Sequence, residues 1–168
     1  MRLVIPFVIF ASPAFALCEA GEETFMSCQI ENSAKSVAVC FDDAAASYRF
    51  GIKGQTPELV ITTSIADLDY VPWNGIGRAI WEAVRFSNGD YTYEAHGGFD
   101  RMFRLETDED IAPAHFGGVS VTRGDALVVD LDCDRTTVTF AWDILLGDAK
   151  RKAGLSWDDR AREWVALP

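Results

Sequence analysis

Between residues 24 and 142 the chain keeps returning to one pattern. A short run of β-branched and aromatic residues is followed by a polar or glycine-bearing turn. A chain written this way buries its apolar side chains by stacking strands. Thr24 to Ile30 and Lys35 to Phe41 read as a first hairpin around Glu31-Asn32-Ser33-Ala34. Tyr48 to Ile52 and Leu59 to Thr63 follow. Ala79 to Phe86 leads into Ser87-Asn88-Gly89-Asp90 and returns as Tyr91 to Ala95. Asn-Gly between such flanks is the strongest short hairpin signal, because both residues tolerate positive φ. Val119 to Thr122, Ala126 to Cys133 and Thr136 to Trp142 resume the pattern, with Arg123-Gly124-Asp125 as a turn. In the middle run Val129, Leu131 and Cys133 share one face, while Asp130, Asp132 and Asp134 share the other. Period-two alternation means one buried face and one wet face. The expected fold is mainly β: one antiparallel barrel or sandwich spanning residues 17–168.

Two stretches depart from the rhythm. Gly97 to Gly118 opens and closes on glycine pairs and carries Glu106, Asp108, Glu109 and Asp110. It reads as a long acidic loop, with Arg101 to Leu105 as a strand candidate. In the tail, Asp143 to Lys152 reads as a short helix with basic residues at its carboxyl end, where they complement the helix dipole. Leu155 to Trp157 and Glu163 to Val165 read as a closing hairpin, with a helix capped by Ser156 as the rival.

The amino terminus sets the compartment. Arg2, the apolar run Leu3 to Phe10 and the small residues of Ala14-Phe15-Ala16 form a secretory signal peptide over residues 1–16. Its apolar core is far shorter than the roughly 20 residues of a spanning helix. No later run reaches that length, so no membrane insertion is expected after cleavage. The mature protein is expected to be periplasmic or secreted. Four cysteines follow the leader: Cys18, Cys28, Cys40 and Cys133. An even number in an exported chain points to two disulfides. A hairpin centred near Ala34 would set Cys28 opposite Cys40 and leave Cys18 for Cys133. Zinc is disfavoured, because no pair has C-x-x-C spacing.

The charge is −11, from 15 basic and 26 acidic residues. The leader takes only Arg2 among charged residues, leaving 14 basic against 26 acidic, a net −12. Nucleic-acid binding is excluded for want of clustered cations. Two readings of the acidity stand: plain solubility, or a field that steers a basic protein or envelope component inward.

No catalytic set emerges, and no metal or cofactor is expected. There is no Gly-x-Ser-x-Gly elbow and no His-Glu-x-x-His pair. His96 and His115 each precede a glycine pair and bracket the acidic loop, where a site shared with Asp108 or Asp110 can be drawn; two unrelated loop histidines are the simpler reading. Asp130-Leu131-Asp132-Cys133-Asp134 has calcium-loop spacing at its start, but Arg135 stands where such loops need glycine. The most unusual stretch is Trp73-Asn74-Gly75-Ile76-Gly77-Arg78, followed by Trp81, Tyr91 and Tyr93. Trp, Tyr and Arg dominate binding hot spots, which nominates Trp73, Gly75, Gly77, Arg78, Tyr91 and Tyr93 as binding residues. The alternative places the aromatics in the sheet core with Arg78 covering an apolar edge.

Ser27-Cys28, Lys35 to Cys40, Tyr48-Arg49-Phe50-Gly51, Pro57-Glu58-Leu59, Trp73-x-Gly75-x-Gly77 and Phe86 to Tyr93 together resemble a family of small disulfide-bearing β proteins exported by Gram-negative bacteria. The resemblance covers roughly residues 18–95 and implies export and a β-rich build. In size and compartment the chain is also similar to periplasmic lysozyme inhibitors. Their Ser-Gly-x-x-Tyr loop has no counterpart here; Gly118-Val119-Ser120 does not reproduce it. The expected function is a non-catalytic periplasmic binding or inhibitor module. An envelope-polymer hydrolase using carboxylates and a histidine is the alternative.

Overall fold

The computed structural model describes residues 18–101, 114–142 and 145–167. The leader and the acidic run Glu106, Asp108, Glu109 and Asp110 lie outside the described residues, as does most of the strand candidate at 101–105. The described strands are β1 (Glu23–Gln29), β2 (Lys35–Phe41), β3 (Ala45–Ile52), β4 (Leu59–Ser64), β5 (Asp69–Val71), β6 (Ala79–Asn88), β7 (Tyr91–Asp100), β8 (His115–Arg123), β9 (Ala126–Asp132), β10 (Thr139–Phe140), β11 (Leu155–Asp158) and β12 (Glu163–Ala166). One helix, α1, spans Leu145–Lys152. Two five-stranded antiparallel sheets form, ordered β10-β1-β2-β3-β4 and β5-β6-β7-β8-β9. They do not close into a barrel. Their inner faces share one core, in which Met26, Val37, Val39 and Tyr48 meet Val84, Phe86, Ala95 and Val119. Each large side chain buried there contributes about 1.5–3 kcal/mol.

A bulge between Thr24 and Met26 breaks the alternation of β1. It sends two consecutive side chains, Phe25 and Met26, into the core. Phe25 then meets Tyr70 and Phe140 edge-on at 6.1 and 5.7 Å. Beyond the bulge Cys28 points inward, opposite Val37, whereas Cys40 lies opposite Thr24 on the outer face.

That parity corrects the expected disulfide pairing. The bonds are Cys18–Cys40 and Cys28–Cys133. The first hairpin turns earlier than expected, pairing Gln29 with Ser36. Cys28 and Cys40 therefore sit three positions out of register and on opposite faces. Cys28 crosses the core to Cys133, beside the bridge joining Ile30 to Cys133, and so links the two sheets. Cys40 holds the segment from Cys18 to Glu22 against the outer face. There Arg49 grips Glu22 through two hydrogen bonds of 2.7 and 2.8 Å. Two disulfides indicate an oxidising, non-cytoplasmic compartment. Among the described residues no helix is long and apolar enough to cross a membrane.

The expected loop from Gly97 to Gly118 is shorter than its glycines suggest. Gly97 to Asp100 completes β7 and His115 to Gly118 begins β8, with Gly97 opposite Gly117 and Gly98 opposite Phe116. The glycines serve close approach. A Cβ on Gly97 would lie 2.7 Å from the Phe140 ring and 3.2 Å from Met26 Cβ. One on Gly117 would meet Met26 Cε at 3.2 Å and Cys133 Sγ at 3.5 Å. On the outer face Phe116 lies over Gly98 and His96 over Gly118.

The expected strand from Thr136 to Trp142 shrinks to β10. Asp134 caps a 3-10 turn over Arg135–Thr137 instead, accepting from the Thr136 N–H. The tail holds both expected elements in succession, α1 and then the β11–β12 hairpin. Trp164 of that hairpin stacks on Tyr70 at 5.7 Å and donates its indole N–H to the Tyr70 carbonyl at 2.7 Å. Lys150 is buried beside it. Its ammonium donates to the Ala66 carbonyl at 3.1 Å and sits 5.4 Å over the Trp164 ring. Desolvation lowers the Lys150 pKa, opposed by Asp69 and Asp67.

Candidate functional site

The turn from Trp73 to Arg78 feeds β6 and is held by its own polar groups. Asn74 accepts from the Ile76 N–H at 3.0 Å, and Trp73 donates to the Ile76 carbonyl at 3.3 Å. Gly75 and Gly77 adopt φ of 79° and 100°, and nothing lies within 4 Å of where their Cβ atoms would sit. The turn needs glycine at both positions for backbone conformation, not for close approach of a neighbour. Its tip carries Ile76, which is 77 % exposed.

The β6–β7 register sets what stands next to this turn. Ala79 pairs with Asp100, so Arg101 arrives beside Arg78 and donates its N–H to the Arg78 carbonyl at 3.1 Å. The Arg101 guanidinium lies 4.7 Å over the Trp73 ring and donates to the Gly77 carbonyl at 2.6 Å. Arg78 reaches Asp100 at 3.7 Å. Trp142 meets Trp73 edge-on at 6.3 Å and Phe99 at 5.7 Å, and Phe99 continues to His115 at 5.8 Å. Trp142 itself is 46 % exposed. One end of the sandwich therefore presents an indole clamped by an arginine, with apolar surface on both sides. A cation over an indole is worth about 0.5–2 kcal/mol.

Sequence reasoning named Trp73, Gly75, Gly77 and Arg78 here but missed Arg101, Phe99 and Trp142. Counting outward from the Asn88-Gly89 turn places Arg101 next to Arg78, so that signal was present. Nothing in the sequence brings Trp142 to the same place.

Tyr91 and Tyr93 do not join this end. Tyr91 pairs with Asn88 at the far turn, nine residue steps from Asp100, or about 30 Å along the strand. Arg123 covers its ring at 5.6 Å and pairs with Asp90 at 3.2 Å. Tyr93 faces the core against Tyr48 at 5.5 Å. The core reading holds for Tyr93, while Trp81 sits exposed on the outer face.

A second, polar cleft of about 680 Å³ opens where β1 meets the end of β9, lined by Glu31, His96, Asp132, Asp134 and Arg135 among others. His96 pairs with Gly118, and Gly118 with Asp132, so the imidazole lies across the glycine on the acidic side. The Thr136 hydroxyl and N–H hold the Asp134 carboxyl below its ordinary range. His115 pairs with Phe99 on the opposite face of the strands, so the two histidines do not share a site. Among the described residues one group of possible metal ligands converges, Cys18, Glu22 and Cys40, and both of its sulfurs are in the disulfide.

Comparison of the chain with protein-family models, curated proteins and solved structures finds no match in any of the three.

Proposed function

We propose that this protein is a non-catalytic binding or inhibitor module of the periplasm or extracellular space, acidic overall, that recognises a basic protein or envelope component. The observation that carries the reading is the Trp73–Arg101 stack flanked by exposed Ile76 and Trp142. Preordered tryptophan and arginine beside apolar surface is the composition of an interface hot spot. A net charge of −11 supplies the long-range attraction. The resemblance to small exported β proteins supports the compartment.

The test is titration against a panel of cationic proteins, lysozymes among them, at about 20 and 150 mM salt. Trp73→Ala and Arg101→Ala should weaken binding tenfold or more, about 1.4 kcal/mol, while leaving the melting temperature close to wild type. Binding that ignores both substitutions, or that is missing at both salts, refutes the proposal.

The cleft at His96 favours one rival, an envelope-polymer hydrolase. It requires His96→Ala to abolish release of soluble fragments from purified cell-wall polymer.

A further inference from the structure

β9 is an outer strand of the second sheet. Its residues Leu127, Val128 and Val129 are 62, 55 and 39 % exposed. Edge strands with open hydrogen-bonding groups are templates for another strand. At the opposite edge of the same sheet, Trp164 occupies the Tyr70 carbonyl of β5.

The chain already uses the β9 edge at one end. Glu31 donates to the Asp132 carbonyl at 2.9 Å, and Asp134 donates to the Gln29 carbonyl at 2.9 Å. The end of β1 thus pairs briefly with the β9 side facing away from β8. Backbone groups alternate along a strand. Cys133 donates to Gly117 on β8, so the N–H and C=O of Asp130 point outward like the Asp132 carbonyl. The strand from Ala126 to Asp130 stays exposed beyond the point where β1 turns away.

We infer that this edge accepts an extended, basic, apolar-alternating segment of a partner protein by strand addition. The inference rests on the proposed recognition of a basic partner and names where the backbone of that partner binds. Charge selects the occupant. Asp125, Asp130, Asp132, Asp134 and Glu31 stand along the edge or at its ends, against Arg123 and Arg135. Asp130 is held by Ser120 at 2.6 Å on the outer face, so its charge stays beside the open strand. A second copy brings −11 of its own and is repelled. An incoming strand with lysines on the outer face would set cations against Asp130 and Asp132 and apolar residues against Val129 on the inner face. The bulge at Val128 turns Leu127 to the outer face, where it would meet the lysine stems. Main-chain bonds would supply affinity and the alternate side chains specificity.

The test uses the full chain and a synthetic heptapeptide alternating lysine and valine. Two controls accompany it: the glutamate–valine analogue, and the lysine–valine peptide N-methylated at every second amide. Binding is read by titration and by amide hydrogen exchange. Strand addition predicts that N-methylation weakens binding at least tenfold and that the glutamate peptide does not bind. It predicts slowed exchange at the Asp130 amide. Leu127→Lys with Val128→Lys should abolish binding, while Val60→Lys on the β4 edge should not. Equal binding of the N-methylated peptide, or protection confined to the Trp73 end, overturns strand addition while leaving recognition of cations intact. Failure of every cationic ligand, peptide or protein, overturns both. Concentration-dependent dimerisation with slowed exchange at Asp130 would assign the edge to a second copy and overturn the basic occupant.

Discussion

The two disulfides perform different tasks, and removing them separately should show it. Cys28→Ala with Cys133→Ala opens a link spanning 105 residues between the two sheets. Cys18→Ala with Cys40→Ala opens one spanning 22 residues that holds the amino-terminal segment to an outer face. Chain-entropy arguments assign about 4.8 kcal/mol to the long link and about 3.4 kcal/mol to the short one. At this chain size each kcal/mol moves the melting temperature by about 2–4 °C. The expected losses are therefore about 10–20 °C and about 7–14 °C. Urea unfolding followed by tryptophan fluorescence gives the free energies. Mass mapping of peptides under non-reducing conditions gives the pairing. In Cys18→Ala alone, the free thiol should be Cys40, with Cys28 still bound to Cys133. A peptide linking Cys28 to Cys40 would refute the face assignment in β1. A greater cost for the short link than for the long one would refute the entropic account.

Two further outcomes are expected. Gly97→Ala should cost about 1–3 kcal/mol by forcing a methyl group onto Phe140 and Met26, measured by urea unfolding; a neutral result would show that the sheets can move apart there. Burial raises the pKa of Tyr48, and burial together with the Glu82 carboxylate raises that of Tyr70. Unfolded tyrosines lose protons near pH 10 while these two keep theirs, so their contribution is complete below that pH and is lost as the pH rises above it. Each should steepen the fall by up to about 1.4 kcal/mol per pH unit. Tyr48→Phe and Tyr70→Phe should each flatten the alkaline limb of stability against pH, and an unchanged slope would count against burial as the cause.

The strands were legible where alternation was regular. Ala79 to Ala95 is the clearest case, because Asn88-Gly89 fixes a register that runs unbroken to Asp100. The closing hairpin from Leu155 was legible only as one of two readings, a helix capped by Ser156 being the other, because its two short strands flank a turn without Asn-Gly. The cysteine pairing was not, because the hairpin turns earlier than its centre of polarity suggests, which sets Cys28 opposite Val37 and on the other face from Cys40. The glycines at 97, 98, 117 and 118 misled, since glycine runs carry no alternation. Gly97 and Gly117 make room for Met26, Phe140 and Cys133, which are distant from them or packed from another sheet, while Gly98 and Gly118 lie under Phe116 and His96. The candidate site was half visible. The Trp73 turn stood out by composition, yet Trp142 joins it only through the packing of β10 beside β1.

The outermost strands of the second sheet are unequal, and that inequality limits what can be built from it. The tail plugs one margin with an indole, while the other stays available for main-chain pairing. Docking through this sheet is therefore one-sided, with no matching margin behind it to pass the pairing onward. A guest strand would complete the layer rather than begin a fibre.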